Sequence, residues 1–258
     1  MNLVANLQAV KEQIAAAASR ARRSPDEIKL VAVVKNALPA QIEELILAGE
    51  THLADNRTQQ LQAHVEQIYN WRQQTAVNPS RPRPANVTWH MIGHLQRNKV
   101  LQTLSLADYI HSVDSLRLAE EINELAARRE EPAQMMLQVN TTGEESKYGI
   151  ALPAAIHLAE QIETMANLSM VGLMTLARQT ANPEDSRPAF ARLRELFEEI
   201  RFHKIAGPQF CHISMGMSGD YQVAIEEGAT MVRIGTALFG PAPARTEAAR
   251  PSDGRPLQ

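Results

Sequence analysis

The run Leu30-Val31-Ala32-Val33-Val34, which ends at Lys35, and the run Met231-Val232, which leads into Arg233-Ile234-Gly235-Thr236, decide how this chain is read. Both are short and almost wholly apolar, the pattern of strands covered on two faces. Between the strands expected at 30–34 and 230–234, further β-branched or apolar runs lie at 51–54, 88–92, 108–111, 134–139, 168–173 and 209–213. They alternate with helix-patterned stretches such as 40–49, 114–128, 152–165 and 186–200. Such alternation implies a parallel sheet, either open and doubly wound or closed as a barrel. Closure makes the first and last strands neighbours, so that Lys35 and the Gly235-Thr236 turn face one cavity. The expected fold is α/β: a single (β/α)8 TIM-type barrel over residues 1–240 with an extra N-terminal helix.

The length of 258 residues suits one such barrel. Leu3, Leu7, Val10 and Ile14 recur at spacings of four, three and four, which predicts an amphipathic helix over 2–21. Ser24-Pro25-Asp26-Glu27 reads as a capped turn before the first strand. Residues 72–87 are rich in proline and polar groups and read as an extended surface loop. The segment 241–258, proline-rich and nearly without large apolar residues, is expected to be a disordered tail.

With 26 basic against 29 acidic residues, the chain generates no field to attract nucleic acid or anionic lipid. No apolar run approaches the roughly 20 residues of a membrane span. The single cysteine, Cys211, excludes an intramolecular disulfide and a cysteine-only metal cluster. Polar residues interrupt the N-terminal region and no basic segment precedes Ala15-Ala16-Ala17-Ala18, so the expectation is a cytoplasmic protein.

Lys35 follows an apolar strand, where desolvation would favour the neutral amine that attacks a carbonyl. Ser214-Met215-Gly216-Met217-Ser218-Gly219-Asp220 follows the seventh candidate strand and Gly235-Thr236 the eighth. Loops after these two strands form the recurrent phosphate site of such barrels, with backbone N–H groups exposed by small residues and hydroxyls from Ser214 and Thr236. A lysine facing a phosphate turn suggests pyridoxal 5'-phosphate held as a Schiff base. By alternation Arg233 points to the same face as Gly235, with either the cofactor's ring nitrogen or a barrel carboxylate as partner. Asn56 serves either the cofactor's phenolic oxygen or the cap of the next helix. His90, His94 and His111 read as hydrogen-bonding residues near the barrel top rather than metal ligands, and no metal site is expected.

The segments Val31-Ala32-Val33-Val34-Lys35, Asp55-Asn56-Arg57, Trp89 to Lys99, Ser146-Lys147-Tyr148-Gly149, Gly172-Leu173-Met174, Ser214 to Ser218 and Arg233 to Thr236 together resemble the pyridoxal phosphate homeostasis protein family. The resemblance runs from about residue 5 to 240 and implies a barrel like the N-terminal domain of alanine racemase, without that enzyme's second, β-rich domain. It assigns the Schiff base to Lys35, the pyridine nitrogen to Arg233, a place near the ring to Asn56, and the phosphate to Ser214, Gly235 and Thr236; Met174 and Gly216 complete the expected cofactor-binding residues. Val34 and Asn36 stand where the family has Ser and Thr, and Ala54-Asp55-Asn56 stands for its Gly-Glu-Asn.

Racemisation needs a base on each face of the substrate carbon. Only Tyr148 and Tyr221, of four tyrosines, fall near barrel-top loops. The expected function is therefore binding, storage, buffering or delivery of pyridoxal phosphate, with no catalytic residues. The expected protein is a monomer whose partners are the cofactor and apo enzymes that require it. A pyridoxal phosphate-dependent racemase or lyase is the alternative, and a metal-dependent barrel hydrolase the distant one.

Overall fold

The computed structural model describes residues 2–76, 84–144 and 147–241. Its strands are β1 (Lys29–Val33), β2 (His52–Asp55), β3 (Thr88–Met91), β4 (Tyr109–Val113), β5 (Ala133–Asn140), β6 (Ile150–Ala151), β7 (Leu168–Met174), β8 (His212–Ser214) and β9 (Met231–Ile234). All pairings are parallel, in the order β4, β3, β2, β1, β9, β8, β7, β5, and β4 pairs with β5 to close the ring. The eight-stranded barrel is thus closed, and β6 only adds two residues beside the end of β5. As the sequence predicts, first and last strands are neighbours, with Val31 opposite Arg233 and Ala32 opposite Ile234.

The surrounding helices are α1 (Leu3–Arg20), α2 (Pro39–Leu47), α3 (Thr58–Ala76), α4 (Val100–Leu104), α5 (Leu116–Ala126), α6 (Leu152–Glu163), α7 (Arg187–Phe202), α8 (Tyr221–Glu226) and α9 (Thr236–Phe239). The stripe Leu3, Leu7, Val10 and Ile14 of α1 is buried, continued by Ala17 and Ala18, and packs on α8 and α9. Pro25–Glu27 forms a single 3-10 turn closed by the capping box of Ser24 and Glu27. No helix among the described residues is long and apolar enough to cross a membrane.

One boundary differs from expectation. Residues 72–76 belong to α3 rather than to a loop. Leu61, Ile68, Trp71 and Thr75 form one buried stripe at helical spacing, so the polar residues 72–74 are simply the wet face of the last turns. Residues 77–83 of the expected loop, and 242–258 of the expected tail, lie outside the described residues.

The strand faces sort into two packed groups. Outward residues such as Leu30, Ala32, Leu53, Trp89, Met91, Ile110, Leu173 and Ile234 join the helices in one continuous apolar core. The inward group is small: Val31, Val33, Ala54, Met136, Val171, Met174 and Met231. The rest of the barrel lumen is polar, and that polarity defines the site.

Candidate functional site

Lys35 stands beyond the C-terminal end of β1. The backbone N–H of Val34 still bonds the Ala54 carbonyl at 2.9 Å, and the chain then turns. Because β1 ends at Val33, Lys35 clears the apolar wall and is exposed rather than desolvated. Its carbonyl accepts from the Gln60 amide at 3.1 Å. Gly235 packs on Val33, two residues before Lys35 in the chain: a Cβ at the glycine would stand 3.3 Å from both the Val33 carbonyl oxygen and the Val33 Cβ. The expected lysine and Gly-Thr turn therefore do share one rim.

The turn is laced by Ser218, whose Oγ accepts from the Gly235 N–H at 3.3 Å and the Ala237 N–H at 3.1 Å. The preceding loop is fixed by Asp220, which receives the Met217 N–H at 2.7 Å and the Ser186 hydroxyl at 3.1 Å. Gly216 sits at φ +89°, and a Cβ there would come within 2.5 Å of the Ala224 Cβ. Thr236 is exposed at the start of α9. Ser214 is placed differently: its side chain is buried in the lumen with no exposed surface, away from the turn that Ser218 laces. Sequence reasoning overlooked Ser218, although its place in the Gly-rich loop was the available signal.

Arg233 is 3% exposed, and its guanidinium donates to Ser214 Oγ at 2.6 Å and to the Thr175 carbonyl at 2.8 Å. No carboxylate lies within ion-pair distance among the described residues, so the barrel-carboxylate alternative finds no partner here. Burial pulls its pKa down to about 10, opposed by the Asp220 carboxylate. It therefore stays protonated at neutral pH. Only two of its N–H groups are given to the protein in these bonds, which leaves further donors of a charged fork in a lumen that Val31, Val33 and Met174 share with His90 and His111.

Asn56 is half-buried at the rim of β2, and its side chain bonds no described residue. It does not cap α3, which begins at Thr58 and has Arg57 in the cap position. Gly93 packs so tightly on its carbonyl that any Cβ would overlap the oxygen. Beneath it Asp55 is fully buried, with Oδ2 2.8 Å from His64 Nδ1 and Oδ1 unpartnered. Neither Asp55 nor His64 stands out in the sequence as a pair, since they lie nine residues apart across a strand–helix junction.

The three histidines separate. His90 and His111 are fully buried in the lumen, whereas His94 lies past the end of β3 on the rim, stacked on Tyr148 at 3.9 Å and 3.3 Å from Asp114. Burial holds His90 and His111 well below the ordinary histidine range, with neighbouring imidazoles adding to the effect on His90 and Arg233 on His111. Among the described residues no group of three or more His, Cys, Asp or Glu side chains could hold a metal ion. Tyr221 packs in the outer core and gives its hydroxyl to Gln13, so of the two rim candidates only Tyr148, which is exposed, remains at the mouth.

Comparison with known proteins shows the family and the fold. Residues 5–243 match the family model described as alanine racemase, N-terminal domain. The chain is 38% identical over 241 residues to the pyridoxal phosphate homeostasis protein of Aquifex aeolicus, covering 93% of this chain and 98% of that one. It superposes with TM-score 0.75 on PipY of Synechococcus elongatus with PLP bound, at 29% identity, over 93% of this chain and all of the other. An alanine racemase of Clostridium difficile shares the fold at TM-score 0.67 and 16% identity, with 95% of this chain matching 58% of the enzyme.

Proposed function

This chain belongs to the pyridoxal phosphate homeostasis protein family, built on the alanine racemase N-terminal domain, and on that premise we propose that it binds pyridoxal 5'-phosphate at the rim between β1 and β9 to store, buffer or deliver it. The observation that carries this reading is the pairing of those strands. It sets Lys35 beside the Gly235 turn and aims an arginine with no carboxylate partner among the described residues into the lumen below.

The residues fit the group. The Ser218 and Thr236 hydroxyls suit a phosphate, which would take over the Gly235 and Ala237 N–H groups that Ser218 Oγ engages, while Gly216 and Gly235 let the two turns pack closely on Ala224 and Val33. Ser214 serves this site by holding Arg233. Arg233 suits the pyridine nitrogen, and Asn56 and Met174 suit the flanks of the ring. When bound, the cofactor supplies an aldehyde for covalent attachment to Lys35 and an electron-accepting ring.

The chain's own groups argue for holding rather than catalysis. A permanently protonated arginine donates to the ring nitrogen and leaves it unprotonated, which weakens the ring as an electron sink. Of the two tyrosines near the rim, Tyr221 is engaged outside the barrel by Gln13, and Tyr148 at the mouth is exposed. An exposed lysine also favours hand-off to apo enzymes, the proposed partners of a cytoplasmic monomer. The second reading, a racemase-like activity, rests on the fold shared with alanine racemase.

The test is spectroscopic. The purified protein should take up pyridoxal phosphate with a visible absorbance that borohydride bleaches, and Lys35→Ala should lose both absorbance and covalent pyridoxyl label. Pyridoxal without phosphate should bind at least about tenfold more weakly, because charge-assisted phosphate contacts are lost. Unchanged absorbance in Lys35→Ala would overturn the assignment. With amino acids in deuterated water, α-carbon exchange as fast as about 1 per second would establish the racemase reading instead.

A further inference from the structure

A line of hydrogen bonds runs through the lumen from the N-terminal floor of the barrel to Arg233. His52, the first residue of β2, is half-buried at the floor, and its Nδ1 lies 3.0 Å from His90 Nε2. His90 Nδ1 lies 2.9 Å from His111 Nε2, and His111 Nδ1 lies 3.0 Å from Ser214 Oγ, which accepts from Arg233 at 2.6 Å. Every link joins the Nδ1 of one imidazole to the next group in the same sense, although the residues come from β2, β3, β4 and β8.

That uniform order has a chemical consequence. A contact of about 3 Å between two imidazole nitrogens requires one proton between them, so neutral rings can point all their N–H groups toward Ser214 or all toward the floor. Arg233 always donates to Ser214, and the serine hydroxyl then donates either to His111 or away from it. The line thus has two complete polarities related by a one-step shift of every proton.

We propose that His52, His90, His111 and Ser214 form a proton relay that connects solvent at the barrel floor with the Arg233 end of the lumen. In one passage a proton adds to His52 Nε2, and the Nδ1 proton of His52 moves to His90 Nε2. The Nδ1 proton of His90 then moves to His111 Nε2, that of His111 moves to Ser214 Oγ, and the serine hydroxyl proton leaves to a water molecule. Each ring is neutral before and after, and the reverse passage restores the first polarity. Burial suits this role, because it keeps His90 and His111 neutral and lets the line conduct without storing charge. Around the floor stand Lys29, His212, Asp108 and Glu50, the last paired with Lys11, while Tyr109 stacks on His90 at 4.9 Å and shields its flank. With a ligand seated in the mouth, the floor becomes the alternative route for protons. The relay does not rest on the function proposed above.

The experiment uses the full chain labelled with 15N-histidine, without cofactor. Scalar couplings between nitrogens should appear across both His–His bonds, and the imidazole N–H groups of His90 and His111 should exchange with solvent. Blocking the floor by His52→Phe should slow that exchange about tenfold or more while the His90–His111 coupling persists. His212→Phe, on the floor but outside the line, should leave exchange unchanged. Absent couplings, or undiminished exchange in a folded His52→Phe, would overturn the relay; should that variant not fold, the couplings in the unsubstituted protein still decide. Failure to bind pyridoxal phosphate with these signals intact would overturn the cofactor reading and leave the relay standing.

Discussion

The eight barrel strands carry two unlike faces. Outward, their side chains merge with the helices into a single apolar core that includes fully buried Phe190, Ile42, Leu45 and Leu137. Inward, the same strands hold a small apolar ring interrupted by Arg233, Ser214, His90 and His111, all buried. The outer face gains stability from area removed from water. The inner face gives up part of that gain, since a charged arginine and three linked imidazoles are costly to desolvate and are retained only as a connected network. One strand therefore serves both ends, and alternation separates them.

The sharpest way to break this comparison is to damage the outer face alone. Phe190→Ala in α7 should lose about 3–5 kcal/mol of stability in urea unfolding, while the fraction that remains folded still takes up pyridoxal phosphate. A loss of cofactor uptake out of proportion to unfolding would mean that the two faces are not separable.

Gly216→Ala tests the seam between them. A side chain at φ +89°, pressed on Ala224, should cost about 1–3 kcal/mol and also displace the loop that carries Ser218. Thermal unfolding and pyridoxal phosphate titration on the same samples should move together.

Acid should act through the inner face. Burial lowers His212 to about 4, helped by Lys29 and His52, and lowers His52 as well. A histidine whose folded pKa is depressed binds its proton more readily when unfolded. Its share of stability is thus complete above the unfolded value of about 6.5 and is lost as pH falls toward 4. Because His212 is partly exposed, removing it by His212→Asn should flatten this acid limb by no more than about 1 kcal/mol. An acid limb of unchanged slope in that variant would assign the loss to the carboxylates of the outer surface.

The smallest effect on stability is expected at the most polar inner residue. In Arg233→Met, relief from burying a charge offsets the lost bonds to Ser214 and Thr175, so stability should change by less than about 1 kcal/mol. Affinity for pyridoxal phosphate, measured by titration, should still fall about tenfold or more. A loss as large as that of Phe190→Ala would show that Arg233 holds the fold rather than a ligand.

Much of this arrangement is written locally. The apolar run before Lys35, the Gly-rich loop after β8 and the lone Arg233 in a β strand are each legible from a few neighbouring residues. The end of α3 was harder to read, because Trp71 and Thr75 supply a buried stripe too sparse to outweigh the polar residues around them. Ser214 and Ser218 sit four residues apart in one motif, and only the turn at Gly216 sends the first inward and the second to the rim.

The sequence by itself determined the alternation of strands and helices and the lysine and arginine of the proposed site, because periodicity and residue type express which face a side chain takes, whereas the closure that pairs β1 with β9 was one of two sheet arrangements the alternation allowed. Only the tertiary structure decided that His52, His90, His111, Ser214 and Arg233 stand in one line. Those residues come from five strands, between positions 52 and 233 of the sequence. Their contact depends on the stagger of each strand against the next, which the closed ring sets as a whole and no single segment encodes.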